Sequence, residues 1–206
     1  MRKLLSNEDF KNLNCPSVYN MGYLGVGDYF ISNGRKINKN YSTWSGILRR
    51  CNDLDYLNKH PTYKAITVCE EWHNFQVFAK WFEENWKPWM EGWHLDKDIL
   101  IKGNKVYSPE TCCFVPQEIN NLFTKTNSKR GEYPIGVNKA GKKYQALIYS
   151  NKKLVYLGLF NTVEEAFKTY KLAKEKYIKK VADKWKEQID EKVYESMYNY
   201  KVEITD

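Results

Sequence analysis

Thr162 and Glu165 stand three residues apart, just ahead of apolar residues that recur every three to four positions: Val163, Ala166, Tyr170, Ala173, Tyr177 and Val181. A Thr-x-x-Glu pair is a capping box: the hydroxyl accepts from the N3 backbone N–H while the carboxylate reaches back to the N-cap N–H. The spacing puts the apolar residues on one stripe, so the pattern predicts a long amphipathic helix of about twenty residues. Such a stripe needs a cover. Three β-rich runs precede it, YPIGV, KYQALIYS and LVYLGLF, with turn-like AGK at 140–142 and NKK at 151–153 between them. In the middle run Tyr144, Ala146 and Ile148 alternate with Gln145, Leu147 and Tyr149, which sends the two sets to opposite faces. A three-stranded sheet crossed by one helix is the simplest closed arrangement. The acidic end, EQIDEKVYESMYNYKVEITD, is expected to stay helical to near Tyr198 and then fray.

Charge sets this block apart. Residues 1–123 carry 15 Lys/Arg against 14 Asp/Glu, residues 124–186 carry 16 against 5, and residues 187–206 carry 2 against 6. The net charge of +8 therefore arises in the middle segment. Positive charge concentrated on a folded block is the footprint of a polyanion binder, although a solvated lysine-rich helix face also produces it. The break coincides with the polar stretch TKTNSKRGEYP, a loop signal. With 42% hydrophobic and 16% aromatic residues in 206, the chain is globular and can bury one large core or two small ones. It has no run of about 18 apolar residues, so no membrane span is expected, and MRKLLSNEDF makes a poor secretory signal. Five cysteines (Cys15, Cys51, Cys69, Cys112, Cys113) without a CxxC pair point to a reduced, cytoplasmic protein, and structural zinc is not expected.

Before the charge break, MGYLGVGDYFISNGRKINKN reads as a hairpin-like lead-in with Asn-Gly at 33–34. A helix is predicted over 41–54 from Trp44, Ile47, Leu48 and Cys51, with Ser42 or Thr43 as N-cap. A second is predicted from Trp72 to Trp86, with Phe75, Phe78, Ala79 and Phe82 on one face. Trp81, Trp86, Trp89 and Trp93 are read as packing residues. The stretch WHLDKDILIKGNKVYSPETCCFVPQEINNLF then gives a strand ending in Asp96, a Gly103-Asn104 turn, a second strand, and a helix with Asn120 and Asn121.

Residues 133–177, with Tyr156, Gly158 and Phe160 ahead of the Thr-x-x-Glu-Ala helix start, resemble the AP2-type DNA-binding domain found on phage and mobile-element nucleases. The resemblance implies a three-stranded antiparallel sheet entering the major groove of double-stranded DNA. Lys139, Lys142, Lys143, Lys152 and Lys153 lie in or beside the hairpins, within reach of phosphates. Gln145 offers the donor and acceptor that bind adenine. The chain has no arginine between 131 and 206, although arginine makes the commonest base-specific contact.

Residues 19–123 resemble the HNH, or ββα-metal, endonuclease superfamily in its phage branch, through GYLGVGDY, YSTWSGILRRC, ITVCEEWHNFQVFAKWF and LDKDILIKGNKVYSPETCCFVPQEIN. The resemblance implies a metal-binding acid at Asp96, a helix ligand at Asn120 or Asn121, Asn104 as the central hairpin Asn, and Mg²⁺ or Mn²⁺ as cofactor. At the place of the general base stands Lys97, an ammonium at neutral pH. His94 is the alternative base, since strand alternation sends it to the side of Asp96; His73, His60, Tyr63 and Tyr107 are further candidates. Asp96 and Asp98 equally fit a solvated strand end paired with Lys97 and Lys102, Asn104 fits plain turn chemistry, and Asn120 and Asn121 fit helix termination.

The sequence thus predicts an α+β chain: a lead-in over 1–18, an HNH-like module over 19–123, a linker over 124–132, an AP2-like three-stranded sheet on one long helix over 133–186, and an acidic tail over 187–206. The expected activity is metal-dependent DNA cleavage of the homing type in the cytoplasm of a bacterial host, by a monomer that nicks or a homodimer that cuts both strands. The other expectations are a catalytically degenerate DNA-binding regulator and a phage inhibitor that binds a host protein.

Overall fold

The computed structural model describes residues 13–124 and 132–206, an α+β chain that forms two compact units, Met1–Pro116 and Gln117–Asp206. Most of the expected linker (125–131) and the first twelve residues of the lead-in lie outside the described residues.

In the first unit, β1 (Ser32–Asn33) and β2 (Lys36–Ile37) form the expected hairpin, with Gly34 at φ 61° in its two-residue loop. The helix predicted over 41–54 is α1 (Lys39–Asn52), which buries Trp44, Ile47 and Leu48. Neither Ser42 nor Thr43 caps it. Asn38 holds the N-cap position, its side-chain amide donating to the Phe30 carbonyl (2.7 Å), and Ser42 falls within the first turn and bonds back to the Lys39 carbonyl. The short α2 (Leu54–Lys59) follows, capped by Asp53. The helix predicted from Trp72 divides into a 3₁₀ turn, Glu70–His73, and α3 (Phe75–Asn85). Asn74 causes the division, because its extended backbone and its side chain, accepting from the Gln76 N–H, start a new helix there.

The unit's core is aromatic. Trp44 and Trp72 are fully buried, and the Trp44 indole N–H donates to the Trp72 carbonyl at 2.7 Å. Trp72 packs on Trp81 (4.7 Å between centroids) and Trp81 stacks on Phe114 (5.5 Å). Trp81 is thus core, Trp86 and Trp93 border it, and Trp89 is exposed. The two strands of the WHLDKD stretch do not pair with each other. β4 (His94–Asp96) pairs antiparallel with β6 (Cys113–Val115), and β5 (Val106–Tyr107) runs parallel to β3 (Thr67–Val68). Between β4 and β5 the chain loops out, dropping Ile99 into the interior.

The second unit begins with α4 (Gln117–Phe123), which sequence grouped with the first module. β7 (Val137–Ala140), β8 (Lys143–Ser150) and β9 (Lys153–Phe160) form an antiparallel sheet in that order. α5 (Val163–Trp185) lies across it, opened by the capping box: Thr162 Oγ1 accepts from the Glu165 N–H at 3.2 Å and Glu165 Oε2 from the Thr162 N–H at 3.3 Å. Ala146 and Ile148 meet Ala166, Phe167 and Tyr170 in the core. Gly136, at φ 77°, lies so close under the Tyr170 ring that a Cβ there would collide. The helix does not run on to Tyr198. It stops at Trp185, and α6 (Glu191–Tyr198) restarts behind the Asp190 cap, burying Val193 and Met197. The end does not fray: Val202 joins the sheet–helix core, its N–H bonded to Glu175 and its carbonyl to the Lys171 ammonium. No described helix is long and apolar enough to cross a membrane.

Candidate functional site

β4 ends because of Asp96. Its Oδ1 accepts from the N–H groups of Asp98 (2.8 Å) and Ile99 (2.9 Å), an Asx turn that diverts the chain out of the sheet. Burial, and next the charge of Asp98, push the Asp96 carboxyl up to about 6, because the backbone donors only partly offset the loss of water. Two carboxylates are therefore held against each other at the end of a strand.

Lys97 and Asn104 lock the loop that follows. Lys97 is only 8% exposed; its ammonium donates to Asp98 Oδ2 (3.0 Å) and to the Asn104 carbonyl (3.1 Å), and lies 5.9 Å from the centroid of the Tyr107 ring. Asn104 answers with its amide, donating to the carbonyls of Lys97 and Val106 (both 2.7 Å) while its oxygen accepts from the Val106 N–H (3.2 Å). The turn chemistry expected at Gly103-Asn104 is present, with Gly103 at φ 81°, and Asn104 is also the clasp of the whole loop.

His94 lies two residues before Asp96 in β4, exposed, opposite Val115. Alternation sends both side chains from the same side of the strand. The other base candidates belong to other elements: His73 ends the 3₁₀ turn before α3, and His60 packs on the Tyr56 ring (4.3 Å), which Tyr63 also touches. Burial drives the Tyr107 hydroxyl far above its ordinary value, so no phenolate forms there near neutral pH.

Burial likewise pushes the Cys51 thiol up to about 11 and Cys112 up to about 12. Among the described residues, no three of His, Cys, Asp and Glu gather where they could hold a metal ion. The Asp96–Asp98 pair still fits Mg²⁺, which keeps several waters and is commonly held by one or two carboxylates together with substrate phosphates. Asn120 and Asn121 lie on α4 in the second unit, where the Asn120 carbonyl accepts from the Thr124 hydroxyl (3.1 Å).

In that unit the sheet face turned away from α5 is defined by the register. Gln145 pairs with Leu159, Leu147 with Tyr156 and Tyr149 with Leu154, across a bulge between Ala146 and Leu147. Tyr149, Leu154, Tyr156 and Leu159 are all exposed, 47–66%. The exposure of Leu154 and Leu159 was missed in the sequence, where the unbroken run LVYLGLF conceals which of its side chains lack cover. Lysines flank this face at the two hairpin loops. Lys142 and Lys143 stand at the β7–β8 end, and Lys152 and Lys153 at the β8–β9 end, all exposed. Asn151 and Lys152 both have positive φ (50° and 61°), the backbone of a tight two-residue hairpin loop. The loops are separated by the length of β8, about 23 Å at roughly 3.3 Å per residue. Lys139 is exposed on β7 and Gln145 half-buried in the outer face. No family model, curated protein or solved structure matches this chain.

Proposed function

We propose that this chain is a metal-dependent DNA endonuclease of the HNH kind, in which the β4 loop carries the chemistry and an AP2-like sheet unit holds double-stranded DNA. The observation that carries the reading is the Asp96–Asp98 pair: two carboxylates kept together at a strand end, one of them half-buried. Holding like charges side by side, partly shielded from water, is unfavourable, and a divalent cation relieves it. Mg²⁺ or Mn²⁺ bound there would polarise a scissile phosphate and stabilise the leaving oxygen. Asp96 and Asp98 would hold the cation and His94, on the same side of β4, would take the proton from water, while Lys97 braces the loop through Asp98 and Asn104. The lysines at the two ends of the sheet anchor the phosphates and its aromatic centre meets the groove.

A second reading is a DNA-binding regulator that does not cut. The observation favouring it is the Lys97–Asp98 ion pair, which already supplies one positive charge to the carboxylate pair.

A plasmid-nicking assay with Mg²⁺ and with Mn²⁺ separates the two. The nuclease reading requires nicking by the wild type that disappears in Asp96→Asn and falls sharply in His94→Ala. A wild-type protein that retards the plasmid on a gel and leaves it intact is the regulator.

A further inference from the structure

The β1–β2 ribbon presents to solvent groups that the sheet unit lacks. Its root is fixed by side chains. The Gln76 amide accepts from the Tyr29 N–H (3.0 Å) and donates to the carbonyls of Leu24 (3.2 Å) and Tyr29 (3.1 Å), and the Asn38 amide donates to the Phe30 carbonyl. Gly27 packs so close to the Gln76 amide that a Cβ there would collide with it. A segment held this firmly is not a loose loop, yet what it projects is apolar: Phe30 is 69% exposed and Ile37 59%, with Ile31 beside them. At the tip, Asn33, Gly34, Arg35 and Lys36 are all exposed, and Gly34 has open space where a side chain would stand.

Arginine supplies the contrast. Of the three described arginines, Arg49 reaches Asp53 and lies over the Tyr56 ring, and Arg50 lies over the Tyr107 ring. The Arg35 side chain makes no hydrogen bond or ion pair among the described residues, and neither does that of Lys36. The block from 131 to 206 contains no arginine at all, so the guanidinium suited to the two major-groove acceptors of guanine is found at this tip and not on the sheet.

We infer that the β1–β2 ribbon is a second DNA-reading element, which enters the major groove with Arg35 directed at a guanine edge, Lys36 at a phosphate, and Phe30 and Ile37 against thymine methyls and sugars. A major groove about 12 Å wide admits a two-stranded ribbon. Cationic and apolar groups at one small tip match a surface that offers phosphates, base acceptors and methyls together. The inference rests on the DNA-binding part of the proposed function and adds to it where sequence preference comes from.

The test is selection of binding sites from a random duplex pool by the full chain, comparing the wild type with Arg35→Ala and Ile37→Ser, with affinities measured on the selected and on an unselected duplex. Both substitutions are on the surface and leave the fold intact. The expected result is a wild-type preference containing a guanine that Arg35→Ala no longer enriches. Its affinity for the selected duplex falls about tenfold or more while the unselected duplex changes far less. Replacing that guanine by 7-deazaguanine weakens the wild type and leaves Arg35→Ala unaffected. Unchanged preference and affinity in Arg35→Ala, with wild-type binding intact, overturn the ribbon alone. A wild type that binds no duplex overturns the DNA reading and this inference together.

Discussion

The Lys97 ammonium lies 3.0 Å from the Asp98 carboxylate, in a loop where Lys97 is almost wholly buried. Replacing it by methionine keeps much of the volume and leaves Asp98 and the Asn104 carbonyl without their donor. Lys97→Met is expected to cost about 1–3 kcal/mol of stability. Asn104→Ala, which opens the three hydrogen bonds on the other side of the loop, is expected to cost a similar amount, about 1–3 kcal/mol. Denaturant unfolding measures both. If Lys97 is a strut, whatever nicking the variant retains returns to the wild-type level at temperatures where it is fully folded. A catalytic Lys97 leaves the folded variant dead.

Asp96 makes stability depend on pH in a direction opposite to that of most carboxylates. Its folded value, about 6, lies above the unfolded value of 3.8. The native state therefore holds more protons between the two, and the contribution, complete below about pH 4, is lost as pH rises through 6. Asp96→Asn keeps an oxygen for the Asp98 and Ile99 N–H groups and removes the charge. The variant should melt above the wild type at pH 8, with the gap narrowing by pH 4.5. Added Mg²⁺ should raise the wild-type melting temperature at pH 8, have little effect at pH 5, and leave Asp96→Asn unmoved at either. A wild type indifferent to millimolar Mg²⁺ at pH 8 removes the metal site.

The parts of this fold that were legible were those fixed by neighbours in sequence. The capping box at Thr162 and Glu165, the three runs of the sheet and the apolar face of α1 depend on spacing alone, and the structure has all three. What failed depended on competition between groups distant in the chain. The first long helix takes its N-cap at Asn38, whose amide ties back to the Phe30 carbonyl, rather than at Ser42 or Thr43. β4 pairs with Cys113–Val115, distant in the chain, while Val106–Tyr107 runs beside Thr67–Val68. The long helix stops at Trp185 because Asp190 starts a helix of its own, whose Val193 and Met197 then find cover. In the site, Asp96, Asp98 and Asn104 were visible as residues. The burial that raises Asp96 and the double commitment of the Lys97 ammonium were not, since neither follows from spacing.

The sheet unit should bind DNA with two separable components. Lys142, Lys143, Lys152 and Lys153 are exposed at the hairpin loops. If each neutralises one phosphate, changing all four to glutamine should flatten the slope of log affinity against log salt by about 0.9 per lost contact. Tyr156, exposed in the middle of the outer face, should behave differently. Tyr156→Ser is expected to lower affinity with the salt slope intact, because an aromatic contact releases no counterions. Titrations of a fluorescent duplex at several salt concentrations measure both. A slope that the four glutamines leave unchanged means that the hairpin lysines do not touch phosphate.

Lys174 provides a pH signature for the packing of α4 within the second unit. Its ammonium donates to the Leu122 carbonyl at 2.9 Å, near the C-terminal end of α4, in a pocket lined by Phe123, Ile135, Tyr170 and Val202. Burial lowers its value from 10.5 to about 8. Below pH 8 both folded and unfolded chains carry the proton, so the native state bears the whole cost of keeping a charge from water. Between about 8 and 10.5 the unfolded chain holds more protons than the native one, so stability rises with pH over that interval. The comparison that isolates this is with Lys174→Met, since every other lysine and tyrosine titrates alike in the two proteins. The unfolding free energy of the wild type relative to Lys174→Met should be flat from pH 6 to 7.5 and then climb toward pH 10. A difference that stays level across the whole range means the amine is solvated and α4 is not closed over it.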